Sequence, residues 1–194
     1  TSQEFRWASS ETGPVRSVVG FYAAREDANT QRYIDVGQDM GALVPVSGYP
    51  MRLPFGAAFG VRPGLAQASS RAQLRTDTAA VFGSVDWDLS DRWTAELGAR
   101  YTWEKKDLAM QLDGRGSGAL RVATLPNDQQ SLRHTDFSPR ASLIFRATDA
   151  VNAYVTYSTG FKSGGWNVDF LNVAQAASGY GFSPETVRSW EVGL

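Results

Sequence analysis

Residues 92–103 read RWTAELGARYTW, and their side chains alternate strictly between polar and apolar types. Trp93, Leu97 and Trp103 fall on one face of the strand that this pattern predicts, whereas Glu96 and Arg100 fall on the other. An arginine that faces lipid at mid-membrane depth costs about 2–4 kcal/mol. If the apolar face meets lipid, the face with Glu96 and Arg100 must therefore meet a polar interior. In a soluble sheet, the same face would meet bulk water.

The strand just before this one, from about residue 76 to residue 89, alternates in the same way, with Phe82 as an apolar interruption of its polar face. The intervening Ser90-Asp91 fits a tight turn, so the two strands are predicted to form a hairpin. Further strands are predicted over residues 3–8, 16–24, 140–147, 151–158 and 187–194, which gives about seven strands in all.

The connections between these strands alternate in length. Short turns are predicted near residues 9–15, 90–91 and 148–150, and long irregular stretches near residues 26–74, 106–133 and 162–185. A soluble domain rarely contains several long structureless loops. An outer-membrane barrel has short periplasmic turns on one rim and long extracellular loops on the other. The sequence therefore predicts an all-β fold, an antiparallel meander that forms part of a large transmembrane β-barrel.

The tryptophans fit the height of such a barrel. Trp93 and Trp103 share the apolar face, and their separation corresponds to about 25 Å along the membrane normal at roughly 3.3 Å per residue and a tilt of about 40°. The apolar band of an outer-membrane barrel is about 25 Å high and is flanked by aromatic girdles. We predict that Trp87 and Trp93 belong to the periplasmic girdle, and that Tyr101 and Trp103 belong to the outer one.

The composition excludes several other classes of protein. The 194-residue chain has a formal net charge of -1 with both signs spread along it, which argues against nucleic acid as a partner. The sequence contains no run of about eighteen apolar residues, so no transmembrane helix is predicted. The absence of cysteine excludes disulfides, zinc–cysteine sites and cysteine nucleophiles. Nothing in the sequence indicates a cofactor.

The candidate catalytic and metal-binding groups are weak. Asp86, Asp88 and Asp91 cluster beside a turn, where solvation of a rim or lumen is a commoner role than metal binding. The glycine-rich residues 114–118 follow no strand–helix pattern, so a phosphate-binding loop is not predicted. His134 is the only histidine, and a structural role at the end of a loop is expected for it. An enzyme is therefore not predicted.

Two sequence blocks carry a family resemblance. Residues 136–140 read DFSPR and lead through a strand and a Thr-Asp turn to residues 152–167, NAYVTYSTGFKSGGWN. Residues 182–194 read FSPETVRSWEVGL. In their order and spacing these blocks resemble the β-barrel of TonB-dependent outer-membrane receptors. The resemblance covers nearly the whole chain and is strongest from about residue 76 onward.

The resemblance implies an energised importer in the bacterial outer membrane. Such receptors have a barrel of about twenty-two strands closed by an N-terminal plug. They bind scarce nutrients such as iron–siderophore complexes, and the TonB complex of the inner membrane supplies the energy through an N-terminal segment. The implied partners are the TonB complex, outer-membrane lipid and a nutrient ligand. Residues 1–194 are expected to form only a middle portion of the barrel domain, without the plug.

The segment FKSGGWN, residues 161–167, leads from a strand into a long loop. Trp166, Phe170 and Tyr180 are candidate ligand contacts in an outer vestibule, and the alternative interpretation of this segment is rim architecture common to the family. Two other functions fit part of the pattern. A passive porin-like channel would explain the strands and girdles, and a soluble β-sandwich binding module would explain the alternation.

Overall fold

The computed structural model describes residues 1–10, 12–36, 66–116 and 122–194, and these residues are mainly strand. The elements are β1 (Ser2–Ala8), β2 (Val15–Val36), β3 (Ala66–Ser90), β4 (Trp93–Gly116), β5 (Leu125–Arg146), β6 (Asn152–Lys162), β7 (Gly165–Trp166), α1 (Val173–Ser178), β8 (Gly181–Phe182) and β9 (Glu185–Gly193). Among the described residues, no helix has the length and apolar character needed to cross a membrane.

Seven strands form one antiparallel sheet in the order β1-β2-β3-β4-β5-β6-β9. Each strand pairs with the next one along the chain, except that β6 pairs with β9. The strands β7 and β8 pair with each other inside the connection between β6 and β9. This order confirms the predicted meander and its short turns. Because β1 and β9 are both edges of the sheet, these strands form part of a barrel wall and do not close it.

The strands are longer than the sequence patterns predict. β3 and β4 contain 25 and 24 residues, and β2 and β5 contain 22 each. The prediction of long irregular stretches was therefore wrong for residues 26–36, 66–74, 106–116 and 125–133, which are strand. Of the remaining parts of the first two stretches, residues 37–65 and 117–121 lie outside the described residues, and residues 122–124 are not part of a strand. At about 3.3 Å per residue and a tilt of about 40°, the longest strands rise about 60 Å, roughly twice the hydrocarbon thickness of a bilayer.

The outer face of the sheet, defined as the face that carries Trp93, Leu97 and Trp103, exposes large apolar side chains. Leu97 is 54% exposed and Trp7 is 78% exposed. The exposed apolar residues of this face include Phe5 and Trp7 on β1, Val15, Val19 and Phe21 on β2, Val81, Val85 and Trp87 on β3, Trp93, Leu97 and Trp103 on β4, Phe137 and Leu143 on β5, Val155 on β6, and Trp190 and Val192 on β9. Soluble monomers rarely expose a continuous apolar patch of more than a few hundred Å². This face therefore requires an apolar surrounding.

The opposite, inner face is polar and better buried. Thr102 is 5% exposed and Ser142 is 7% exposed, although both are polar. Ser142 Oγ and Thr156 Oγ1 lie 2.8 Å apart and share a hydrogen bond across β5 and β6. In a soluble protein, apolar side chains are buried and polar ones are exposed. The sheet has the reverse arrangement, which is the arrangement of a wall between lipid and a polar lumen.

This polarity inverts part of the way along the strands. Four outer-face side chains are register partners across β2 to β5, and we call them the switch row: Arg25, Asp77, Lys105 and Arg133. On the side of the switch row toward the 91–92 turn, the outer face is apolar. On the other side it is charged, with an ion pair between Arg75 Nε and Asp27 Oδ1 at 2.7 Å. The apolar band therefore ends at the switch row, and the strands continue beyond it as a polar extension.

The inner face changes in the opposite sense. Leu108, Met110 and Leu112 have the same parity as Glu96 and Arg100, yet they are 2%, 0% and 1% exposed. These three side chains belong to a buried apolar cluster, and all strand residues of this cluster lie in the polar extension, beyond the switch row. The inversion also explains why the sequence pattern predicts strands that are too short, because the alternation continues beyond the switch row with its apolar face exchanged.

Candidate functional site

The connection between β6 and β9 folds back onto the inner face of the extension. We call residues 163–182 the cap segment; it contains β7, α1 and β8. Its helix α1 is short but well terminated. Asn172 is the N-cap, its side chain accepts a hydrogen bond from the backbone N–H of Gln175, and the Gln175 side chain accepts one from the N–H of Asn172. The helix ends at Gly179, whose φ of 88° suits glycine.

An apolar cluster joins the cap segment to the sheet. Leu171 of the cap is 1% exposed and packs in the same cluster as Leu108, Met110 and Leu112. The buried members of the cluster are Ala68, Ala72, Leu108, Met110, Leu112, Val122, Ala123, Leu171 and Tyr180. Residues from β3, β4 and the cap therefore share one small core on the lumenal side of the sheet, as expected for an element that needs a packed face to be stable.

Polar contacts hold the cap at several points. Lys106 Nζ on β4 donates to the Gly164 carbonyl oxygen at 2.9 Å, and the Ala123 backbone N–H donates to the Leu171 carbonyl oxygen at 2.8 Å. Arg32 on β2 forms an ion pair with Asp169. The Phe170 backbone N–H donates to the Asp169 carboxylate, and this bond together with Arg32 lowers the pKa of Asp169. The cap is thus anchored to β2 and β4 as well as to the apolar cluster.

The three predicted contact residues all lie in the cap, and the structure brings them to the same apolar cluster. Tyr180 is buried, and its hydroxyl donates to the Asp128 carboxylate on β5. Burial and the adjacent carboxylate raise the pKa of the Tyr180 hydroxyl, so it stays a donor. Trp166 is half-buried, and its Nε1 donates to Gln130 Oε1 at 2.6 Å. Phe170 is also half-buried against the cluster.

Sequence reasoning missed the partners of these residues on the sheet. Asp128 and Gln130 were assigned to an irregular stretch, but they are inner-face residues of β5 opposite Met110 and Leu108. The available signal was the alternation of Leu108, Met110 and Leu112, which continues the strand with the apolar parity exchanged. The contact between β5 and the cap has no local signal, since Tyr180 and Asp128 are 52 residues apart.

Removing the Tyr180 hydroxyl should loosen the cap. For Tyr180→Phe we expect the free energy of local opening to fall by about 1–3 kcal/mol, because a partly buried carboxylate loses a hydrogen-bond donor. Hydrogen exchange of residues 163–182 in the intact protein measures this change. Tyr33→Phe is the matched control, because Tyr33 is 67% exposed and lies on the outer face of the extension. Equal exchange in both variants would contradict the anchoring role of Tyr180.

Of the three aspartates that the sequence suggests, Asp91 lies in the turn between β3 and β4, whereas Asp86 and Asp88 lie on the inner wall. Asp88 Oδ2 and Oδ1 accept from Arg16 Nη1 and Nη2 at 2.6 and 3.2 Å, and Asp86 has the same parity on β3. Within the described ranges, no group of three or more His, Cys, Asp or Glu residues is arranged to hold a metal ion.

His134 lies within β5 opposite Glu104, so its predicted position at a loop end was wrong. The reason is again the length of the strand, which continues through residues that were assigned to a loop. Of the glycine-rich residues 114–118, the first three belong to β4 and the last two are outside the described residues.

Comparisons with known proteins agree with this geometry. A family model described as TonB dependent receptor-like, beta-barrel matches residues 4–194. Among solved structures, the ferric yersiniabactin uptake receptor FyuA from Yersinia pestis is similar, with a TM-score of 0.66 and 20% sequence identity, over 99% of this chain and 25% of that chain. At this identity the likeness shows the fold, and the chain spans about a quarter of that receptor's length. None of the curated proteins compared with the chain matches it significantly.

Proposed function

The chain belongs to the family of TonB-dependent receptor β-barrels, and from that premise we propose that it forms part of the wall of a receptor that imports a scarce nutrient across the bacterial outer membrane. Receptors of this family are transporters and not enzymes, so no catalytic activity is proposed. The observation that carries the proposal is the inverted polarity of the sheet: Leu97 is 54% exposed on the outer face, whereas Thr102 is 5% exposed on the inner face.

The nutrient that we propose is an iron–siderophore complex. The similar structure from Yersinia pestis is described as a ferric yersiniabactin uptake receptor, which supports this class of ligand without identifying it. Residues 1–194 would supply seven strands of the barrel domain. We propose that the plug, and the segment through which the TonB complex supplies energy, belong to other parts of the receptor.

The proposed ligand contacts remain Trp166, Phe170 and Tyr180 of the cap segment. The cap lies on the inner face beyond the apolar band, where a solute that enters from outside would pass. The half-buried rings of Trp166 and Phe170 are the stronger candidates, because part of each ring is still exposed. Tyr180 is the weaker candidate, because its side chain is buried and its hydroxyl already donates to Asp128.

The test is uptake by cells that express the full-length receptor. We expect that deleting the receptor abolishes accumulation of a radiolabelled ferric siderophore, that re-expression restores it, and that a protonophore abolishes it again. Uptake that continues at the same rate with the protonophore would show a passive porin-like channel. Recovery of the receptor in the aqueous fraction, in place of the outer membrane, would show a soluble binding module.

A further inference from the structure

One row of residues on the inner wall combines features that the transport role does not by itself explain. Arg6, Gly20, Phe82 and Arg100 are successive register partners across β1, β2, β3 and β4. Side chains of directly paired residues point to the same face of a sheet. Phe82, the apolar interruption of the polar face, therefore lies between two arginines on the lumenal side. We call these four residues the arginine row.

Gly20 creates the space for the Phe82 ring. A Cβ atom at position 20 would lie 2.4 Å from Phe82 Cζ and 2.9 Å from the Phe5 carbonyl oxygen, so no other residue fits without displacing the ring. The ring therefore lies down across β2 toward β1. Arg6 Cζ is 5.9 Å from the ring centroid on one side of the row, and Arg100 Cζ is 5.6 Å from it. Both distances are within the range of cation–π attraction.

Arg100 is held in place but not neutralised. Its guanidinium also lies 5.3 Å from the centroid of the Tyr22 ring, and its Nε donates to Thr102 Oγ1 at 3.2 Å. Among the described residues, Arg100 forms no ion pair, whereas Arg16 pairs with Asp88 and Arg140 with Glu96. A guanidinium has five N–H donors in a fixed plane. The Tyr22 and Phe82 rings fix the plane of the Arg100 guanidinium, and its Nε–H is used by Thr102. The N–H groups of its two Nη atoms are therefore free to donate to a ligand.

We propose that the arginine row binds a carboxylate inside the barrel. The two Nη groups of Arg100 match the two oxygens of a carboxylate in a bidentate bond, and the Phe82 ring beside them accepts the apolar part of the group that bears it. Arg6 adds positive charge, partly offset by its ion pair with Glu4. The inference rests on the proposed function only in taking the inner face to line the lumen. The carboxylate comes either from a dissolved solute or from another segment of the receptor.

Benzoate is a suitable probe, because it combines a planar carboxylate with a ring that can stack on Phe82. Its binding to the full-length receptor in detergent is measured by saturation-transfer NMR. We expect Arg100→Gln and Arg100→Lys each to weaken binding by about tenfold, since a lysine lacks the two-pronged edge. Arg140→Gln on the same face is the matched control and should bind as the native receptor does. Heat-dependent migration in gels verifies that each variant is folded.

A second pair of variants tests whether the position of the Phe82 ring matters for binding. Gly20→Ala displaces the Phe82 ring, whereas Gly98→Ala on the inner face of β4 meets its nearest neighbours at 3.6 and 3.7 Å, an ordinary contact. We expect the first variant to lose benzoate binding and the second to retain it. Equal binding by both would contradict the role of the ring.

Benzoate binding and the melting temperatures of the variants together distinguish the two possible sources of the carboxylate. If another segment of the receptor already occupies the row, the native receptor does not bind benzoate, but Arg100→Gln and Arg100→Lys both lower its melting temperature, while Arg140→Gln does not. If benzoate does not bind and Arg100→Lys melts as the native receptor does, the proposal is overturned. Energised uptake of the nutrient is measured separately, so this failure would leave the proposed transport function intact.

Discussion

Leu97→Arg is expected to destabilise the membrane-inserted barrel by about 2–4 kcal/mol, the cost of an arginine facing lipid near mid-depth. Leu97 lies on the outer face between Trp93 and Trp103, and it is 54% exposed. In water, this substitution at an exposed position would change stability by only about 0.5 kcal/mol. The free energy of unfolding of the full-length receptor, measured by urea titration in phospholipid vesicles, distinguishes the two environments.

Ala109→Arg is the matched control for Leu97→Arg. Ala109 is an outer-face residue of the same strand, but it lies beyond the switch row, between Gln73 and Gln129. Because the outer face there is polar, we expect its effect to stay within about 0.5 kcal/mol. Two equally small effects would show that the apolar face does not meet lipid, and the barrel interpretation of this sheet would fail.

Leu171→Ala is expected to release the cap segment while the sheet stays folded. The Leu171 side chain is 1% exposed in the apolar cluster, and truncating a buried leucine to alanine costs about 2–5 kcal/mol. The cap holds to the sheet through this one cluster and a few polar contacts, so most of the loss should appear as local opening. We expect hydrogen exchange within residues 163–182 to speed up by at least about tenfold, since 1.4 kcal/mol corresponds to a factor of ten.

Val173→Ala controls for changing an apolar residue in the same segment. Val173 begins α1 and is 61% exposed, so its truncation removes little packing. Its exchange rates should match those of the native receptor. If Leu171→Ala instead speeds up exchange throughout β2 to β5, the cap is part of the cooperative unit of the sheet and not a separately opening element. If Leu171→Ala changes nothing, the cluster does not hold the cap.

Local patterns predicted those parts of the fold that depend on local chemistry. The alternation in residues 92–103 predicts which side chains lie on each face of β4, and the short turns predict the order of the strands in the meander. The N-cap at Asn172, with Gln175 three residues later, is also a readable helix start, although it lies in a stretch that was predicted to be irregular. The pattern does not predict the ends of the long strands, because the polarity of the two faces inverts at the switch row.

The long-range contacts could not be predicted in this way. The sequence marked Phe82 as an interruption of a polar face, but only the register of β1 to β4 places it between Arg6 and Arg100. The candidates Trp166 and Tyr180 were found from their position after a strand. Their partners Gln130 and Asp128 lie on a neighbouring strand, and nothing in the sequence near either end marks the pairing.

The switch row also determines how accurately the long strands can align during assembly. In a strand with uniform alternation, a slip of two residues returns every side chain to its original face, so the error is hardly penalised. Here a slip of two residues between β3 and β4 removes Lys105 from Asp77 in either direction. One direction places Lys105 opposite Arg75 and Leu74 opposite Lys106, and the other places Lys105 opposite Ala79. Because the polarity changes at the same level in β2 to β5, it favours one register between neighbouring strands over registers that differ by two residues.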